Sequence, residues 1–316
     1  MILEPLFLEP VFKERIWGGK ALKDNFGYSI NSNITGECWA ISGHPHGQSV
    51  VKNGVYKGWT IEKLWKERRG LFGNPTGEVF PLLVKILDAN KDLSVQVHPD
   101  DAYAMYNENG ELGKTECWYI IDCKEDAKIV YGHRAQTKAE LMKMIEEKRW
   151  ESLLNYVPIK PGDFYFVPSG TVHALCEGTL VLEVQQSSDT TYRVYDYERE
   201  DENGALRELH LNKAIDVINV PFKQVDNKHE QQRHEDSIKT TFVESEYFTV
   251  HKWSVKESYS HTKEEPFLLC SVIGGEGKLL IEEEIFPIKK GDHFILPDYI
   301  ENITLKGELE IIVSHL

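Results

Sequence analysis

Gln96 and His98 lie two residues apart in Asp92-Leu-Ser-Val-Gln-Val-His-Pro-Asp-Asp101. On a strand, Ser94, Gln96 and His98 share one face and Leu93, Val95 and Val97 the other, so an amide and an imidazole can point together into a barrel. Pro99 then ends the strand. Glu116 stands in Gly113-Lys-Thr-Glu-Cys-Trp-Tyr-Ile-Ile121, where Lys114, Trp118 and Ile120 share its face. The two apolar neighbours draw this carboxylate toward the core, and a buried carboxylate needs a cation or hydrogen-bond donors. Lys114 or a metal ion can meet that need. His173 closes Gly162-Asp-Phe-Tyr-Phe-Val-Pro-Ser-Gly-Thr-Val-His173, a G-x5-P-x4-H pattern in which the turn after Pro168 returns the chain and presents the imidazole inward. Each segment alone also fits a plain structural role: a half-exposed strand face, a Lys–Glu pair, a hydrogen-bonded histidine. Together, Gln96, His98, Glu116 and His173 form a nitrogen and oxygen donor set with no thiolate, suited to Zn²⁺ or another first-row divalent ion. Structural zinc usually takes paired thiolates, and the five cysteines include no C-x-x-C pair. A catalytic or exchangeable site therefore fits better than a structural staple.

A second group of residues can handle negative charge. Arg193 lies in Ser188-Asp-Thr-Thr-Tyr-Arg-Val-Tyr-Asp196 and, on a strand, shares a face with Thr191 and Tyr195. Beside Lys114 it would form a fixed anion or oxyanion clamp, unless Asp189 or Asp196 neutralises it.

The elements that must position these side chains are mostly strands. Short β-rich runs appear at 93–98, 116–122, 128–131, 164–167, 180–186, 191–195, 267–273 and 308–314, separated by Gly, Pro and Asp. That spacing predicts a sandwich or barrel, and the strand–helix alternation of a doubly wound sheet is missing. Helical periodicity is confined to three places. Thr60 is an N-cap candidate leading into Ile61, Leu64 and Trp65, and Thr137 opens a capping box leading into Leu141, Met144 and Ile145; Leu209 to Val220 carries a third apolar stripe. A weak repeat, K-x-G-D-x-[FY]-x-x-P, occurs at Lys160–Pro168 and Lys289–Pro297 and implies two related barrels. The polar run 223–237 lacks an apolar period and marks the boundary between residues 1–235 and 236–316.

The 316 residues carry 36 Lys and Arg against 51 Asp and Glu, a formal charge of -15. Such a surface argues against nucleic acid or an anionic membrane as partner. No apolar run reaches the ~20 residues of a membrane span. The odd cysteine count and the lack of a leader-like N-terminus fit free thiols in a reducing cytoplasm.

G-x5-P-x4-H is the second metal-binding motif of the cupin barrel. Q-V-H-P-D-D, K-T-E-C-W-Y and Q-Q-x-S-D-T-T-Y-R-x-Y-D together resemble the class I mannose-6-phosphate isomerases, and the opening Phe12-Lys-Glu-Arg-Ile-Trp-Gly-Gly19 looks like their compact bacterial form. The resemblance runs from about residue 5 to the C-terminus. It implies a mainly β fold of two cupin-type, jelly-roll-like barrels, with a few helices packed on the N-terminal one. It also implies one Zn²⁺ per chain on Gln96, His98, Glu116 and His173, with Arg193 as the active-site arginine. Asn302 occupies the position of His173 in the second barrel, which is therefore expected to be a metal-free packing domain. The helical insertion of longer members has little room here.

The implied reaction interconverts D-mannose 6-phosphate and D-fructose 6-phosphate through an enediol(ate), without net redox change. The chain lacks G-x-G-x-x-G and P-loop motifs, in keeping with that chemistry. Arg193 would stabilise developing negative charge, and Lys114 would assist there or bind phosphate. Lys13 and Arg15 are further cations for the substrate. The base is either a metal-bound hydroxide or a carboxylate such as Glu37, which would share a strand face with Trp39; Trp17 would be a sugar-stacking wall or plain core. A metal-keeping, non-enzymatic two-cupin sugar-binding protein and an iron dioxygenase are the competing readings. Gln96 as fourth ligand and the S-D-T-T-Y-R block speak against the dioxygenase.

Overall fold

Alternation along one strand shows how the layers stack. In Leu82–Ala89, Leu82, Val84 and Ile86 enter one apolar cluster while Leu87 and Ala89 enter another, so the strand is buried on both sides. Its sheet has six antiparallel strands in the order Phe164–Val167, Glu116–Cys123, Thr179–Gln186, Leu82–Ala89, Thr35–Ser42 and Val11–Gly19. This order is seen in a computed structural model that describes residues 3–200, 204–225 and 229–316. A five-stranded sheet faces it, ordered Tyr192–Tyr195, Val95–Val97, His173–Leu175, Lys128–His133 and Leu154–Pro158. Trp118, Ile120 and Val181 from the first sheet meet Ile129, Tyr131 and Leu175 from the second, closing a barrel. Helices Lys138–Glu146 and Leu211–Val217 cover the outer face of the five-stranded sheet through Leu141, Met144, Ile145 and Ala214.

The other face of the six-stranded sheet packs on a ten-stranded sheet. There Cys117, Tyr119, Leu180 and Leu182 share one cluster with Phe242, Phe248, Val250 and Ile312. The ten-stranded sheet wraps a second core of Trp253, Leu279, Phe294, Leu305 and Ile311, forming the second barrel. The protein is thus mainly β, with two cupin-type barrels and helices on the first, as the sequence implies.

The repeated motif makes the same turn in both barrels. Gly162 donates to the Ile120 carbonyl and Gly291 to that of Val272, at 2.8 and 2.9 Å. Asp163 and Asp292 each accept the N–H of the lysine three residues earlier, at 3.0 and 2.9 Å. Both glycines have φ near +90° (92 and 91), which explains why the motif keeps Gly there.

Two expected features differ. The run 223–237 is not wholly a linker, since Glu230–His234 is a strand paired with Ser237–Glu244. All five of its residues are exposed, and an edge strand in solvent can be wholly polar, which hides it from periodicity. A division at 235/236 falls in the turn of this hairpin. The sheets do not follow it, because Leu6–Glu9 pairs with His293–Leu296, and with Val50–Val51 on its other side. The strand expected over 93–98 is shorter, Val95–Val97, and His98 stands just past its end.

All three expected helices form. Thr60 and Thr137 accept the N–H groups of Lys63 and Glu140 at 3.2 and 3.1 Å. Glu140 returns to the N–H of Gln136 rather than Thr137, at 2.8 Å. Helices Ala21–Phe26, Asp101–Asn107 and Trp150–Leu153 were not expected: the first and last are too short to show a 3.6-residue period, and Asp101–Asn107 buries only Ala104 and so has no apolar stripe. Among the described residues no helix is long and apolar enough to cross a membrane.

An aromatic cluster ties the two barrels together. Trp65 lies 5.1 Å from Phe72 and 5.4 Å from Phe80, and Phe72 lies 5.4 Å from Phe267 at the start of a second-barrel strand. Phe267 is almost wholly buried. Phe267→Ala should destabilise the protein by about 3–5 kcal/mol, the usual cost of emptying a buried aromatic site. Urea unfolding monitored by tryptophan fluorescence measures this, and a loss below about 1 kcal/mol would mean the cluster does not join the barrels.

Candidate metal and active site

The antiparallel ladder brings the predicted ligands together. Gln96 is the cross-strand partner of His173 on one side and of Arg193 on the other, so the three residues share one face. His98 follows two residues after Gln96. Glu116 begins a strand of the opposite sheet, between Val167 and Gln185. His98, Glu116 and His173 are buried to 1%, 1% and 0% exposure, which rules out water as their routine partner.

Backbone carbonyls set the imidazole tautomers. His98 Nδ1 lies 2.9 Å from the Thr190 carbonyl and His173 Nδ1 lies 2.9 Å from that of Thr171. A carbonyl only accepts, so each Nδ1 carries the proton and each Nε2 keeps its lone pair. Both lone pairs are aimed at one carboxylate: His98 Nε2 is 3.4 Å from Glu116 Oε2 and His173 Nε2 is 3.3 Å from Oε1. His173 Nε2 is buried without a hydrogen-bond partner, and Glu116 Oε2 has only a cation, the Lys114 ammonium, beside it. Acceptors facing acceptors in a dry site repel one another unless a cation lies between them. Two ligands each ~2.05 Å from a tetrahedral ion sit about 3.3 Å apart, which matches these separations. The residues fit a divalent metal ion, and the amide of Gln96 on the same face offers a further neutral donor.

Lys114 borders this cluster. Its Nζ is 3.0 Å from Glu116 Oε2 and 3.2 Å from His98 Nε2, and the side chain is buried. The Lys–Glu pair and the metal cluster thus coexist. Burial pushes the His98 imidazole down to about 3, and Lys114 adds to the fall. It pushes His173 down as well, so both imidazoles are neutral and able to ligate. Burial opposes the charge on Glu116, but Lys114 and the two imidazoles together outweigh it and hold the carboxyl well below the usual range.

Above the cluster lies a cleft of about 270 Å³, lined by Gln96 and Lys114 and walled by Arg15, Trp17, Lys85, Glu183 and Arg193 among others. Arg193 also keeps the place expected of it. Its guanidinium donates to the Ser94 hydroxyl at 3.3 Å and the Glu208 carbonyl at 2.8 Å. Asp196, one of its possible neutralising partners, is instead held by Arg199 and Arg207, each at 2.5 Å. Asp189 faces His46 at 3.2 Å.

Glu37 lies on the cleft wall, buried rather than at an exposed edge. Arg15 grips both its oxygens at 2.8 and 3.2 Å, and Trp39 donates to Oε2 at 2.6 Å. Burial would raise its pKa, but Lys85 and Arg15 together hold it below the usual glutamate range. Trp17 lines the cleft while belonging to the apolar core. Lys13 points elsewhere, donating to the His46 carbonyl at 2.5 Å.

Sequence reading missed Lys85 and Glu183. They are cross-strand partners on the inner face, 3.6 Å apart and both buried, and Trp118 donates to Glu183 at 3.0 Å. Burial and the nearby Glu116 charge raise the Glu183 pKa. The signal was a single charged residue inside each of two apolar runs, 82–87 and 180–184, within the strands Leu82–Ala89 and Thr179–Gln186.

Two cupin-type barrels, one holding a buried bis-imidazole and carboxylate cluster beneath a cationic cleft, define a cupin architecture with a candidate metal centre. Comparison with known proteins narrows this. The type I phosphomannose isomerase catalytic domain profile matches residues 6–121, and the mannose-6-phosphate isomerase cupin domain profile matches 238–316. The chain is 58% identical to mannose-6-phosphate isomerase ManA of Bacillus subtilis over 316 residues, covering 100% of both. It is 51% identical to the mannose-6-phosphate isomerase of Streptococcus mutans, covering 99% of this chain and 98% of that one. The crystal structure of a Bacillus subtilis mannose 6-phosphate isomerase superposes with a TM-score of 0.97 at 57% identity, over 99% of both chains. The chain belongs to the type I phosphomannose isomerase family.

The Glu37 geometry predicts a pH effect. Its carboxyl is depressed in the folded state, so the stabilisation is complete above the unfolded value of about 4.3 and is lost as pH falls through the lower folded value. Glu37→Gln should therefore lower Tm at pH 7 and converge with the parent protein below about pH 4. Thermal scans between pH 7 and pH 3 check this; parallel curves across the range would refute it.

Proposed function

We propose that the protein interconverts D-mannose 6-phosphate and D-fructose 6-phosphate by proton transfer between C2 and C1 of the open-chain sugar, and that it does so in the cytoplasm with zinc. The observation that carries this reading is the pair of imidazole lone pairs converging on Glu116 at the floor of a cationic cleft, in a chain similar over its full length to proteins named for this reaction. Similarity of that extent favours the isomerase over an iron dioxygenase or a sugar-binding protein. The five cysteines are all free, which supports a reducing compartment.

Gln96, His98, Glu116 and His173 would hold the ion, which when bound supplies Lewis acidity toward the sugar carbonyl and its neighbouring oxygen. One carboxylate among the ligands leaves one formal positive charge facing an anionic substrate. Lys114, held rigidly by Glu116 and His98, presents its ammonium at the cleft floor and stabilises negative charge on the C1 or C2 oxygen. Arg193 does the same from the wall, since its hydrogen-bond partners among the described residues are uncharged acceptors. Arg15 and Arg207 line the same cleft and favour the phosphate there.

Three carboxylates line the wall; Asp189 is turned to His46 and held below its usual range, which leaves Glu37 and Glu183 to compete for the base. Glu37 is committed to Arg15 and Trp39 and is strongly ionised, a poor proton acceptor. Glu183 is raised by burial toward the operating range and has Lys85 beside it to steady its charged form. Glu183 is therefore our choice to take the C2 proton and return it to C1.

Chelation should abolish isomerase activity and added Zn²⁺ should restore it; activity that survives complete metal removal would reject the metal assignment. Arg193→Ala should lower kcat about 10²-fold with little change in KM, as for loss of one oxyanion donor. Wild-type turnover in that variant would remove Arg193 from the mechanism.

A further inference from the structure

The second barrel was expected to hold no metal, because Asn302 replaces the histidine of the motif. Asn302 is indeed exposed at the surface, where Thr262 donates to it at 2.8 Å. Three other side chains nevertheless converge at one end of that barrel. His251, on Thr249–Val255, shares the inward face with Trp253 and Val255 of the barrel core. His315 ends Asn302–His315 and lies diagonally across the ladder from His251, since Thr249 pairs with His315 and His251 with Val313. Glu265 sits in the connection after Ser258–Thr262.

The ligand atoms are close. His251 Nε2 and His315 Nε2 are 3.2 Å apart, and His315 Nε2 is 3.6 Å from Glu265 Oε1. All three ligand atoms lie within 4.8 Å of one another. The two closest separations bracket the ~3.3 Å expected between ligands of one tetrahedral ion.

The remaining atoms of these residues are anchored away from the centre. His315 Nδ1 donates to the Leu316 oxygen at 2.8 Å, which leaves Nε2 a lone pair. Glu265 Oε2 accepts the Glu264 N–H at 3.1 Å, leaving Oε1 to face His315. His251, only 5% exposed, has Thr241 Oγ1 3.0 Å from Nδ1. A hydroxyl can donate or accept. With Thr241 donating, His251 Nε2–H donates to His315 and no ion is needed. With Thr241 accepting, both Nε2 lone pairs and Oε1 point at one spot.

A further imidazole belongs to the same barrel interior. His261 lies on the same inner face, with Trp253 4.8 Å from its ring, and its Nε2 is buried without a partner. A cleft of about 400 Å³, lined by His261 and Glu265 with His234, Lys239 and Glu264, gives an ion a route inward.

We propose that His251, His315 and Glu265 form a second divalent-metal site, of the borderline-soft class that Zn²⁺ represents. The site is distinct from the catalytic cluster and uses positions the barrel repeat does not share. Its ion would tie the end of the last strand to its hydrogen-bonded neighbour and to the connection after Ser258–Thr262.

The test is metal stoichiometry on the full chain. Protein stripped by chelation and dialysed against Co²⁺ should bind two equivalents, with visible absorption from both centres. His251→Ala combined with His315→Ala should bind one and keep isomerase kcat within about twofold. Should that double variant fail to fold, His315→Gln alone serves, with at least a tenfold weaker second equivalent expected. A parent protein that binds one equivalent, or variants that still bind two at parental affinity, would overturn the proposal.

Discussion

Two imidazole lone pairs and a carboxylate, forced together where water cannot reach, make a site that is unfavourable without a cation. In solvent each acceptor would be hydrated and the arrangement would cost nothing. Here the carbonyls of Thr190 and Thr171 fix the tautomers, so neither histidine can turn a proton toward Glu116. Repulsion that is built in and cannot relax is a preformed affinity for a positive ion. Lys114 satisfies part of this need from the cleft side but leaves His173 Nε2 alone.

The sheets exist around this point in a literal sense. A one-residue slip in the pairing of Val95–Val97 would turn Gln96 to the helix-covered face and Val95 and Val97 to the site. That slip is opposed by Val95, Val97, Val130 and Ala174, which are packed beneath the helices. The same logic holds opposite, where Trp118 and Ile120 on the Glu116 strand are locked against Tyr131 and Leu175. Apolar packing thus sets the register, and register sets which polar groups face one another. The second sheet face, pressed on the other barrel, keeps the Glu116 strand from bending away.

What could be read from sequence follows from this division of labour. Gln96, His98, Glu116, His173 and Arg193 stood out because alternation or a spaced motif marked their faces. Lys85 and Glu183 did not, because each sits singly in an apolar run and gains meaning only from being paired across the ladder. Glu37 was visible, but its partner Arg15 lies on the neighbouring strand and no local pattern links them. The repeat around Gly162 and Gly291 was legible because its turn is closed locally, by Asp163 and Asp292 accepting from the lysine three residues earlier. The strand Glu230–His234 was not, because it has no buried face to leave a pattern.

Charge placement completes the picture. A chain of formal charge -15 must admit a dianionic sugar phosphate, and repulsion from distant carboxylates is screened within about 8 Å at physiological salt. What the substrate meets at close range is the cleft wall. There Arg15 is paired with Glu37, Lys85 with Glu183 and Arg207 with Asp196, which fixes those side chains and weakens their field without removing it. Arg193 is different: its partners are a hydroxyl and a carbonyl, which orient the guanidinium without neutralising it. One rigid, uncompensated arginine beside an ion with a single carboxylate ligand concentrates positive potential where a sugar oxygen would gain charge. The same two groups, placed in solvent, would stabilise that oxygen far less, because water would screen both.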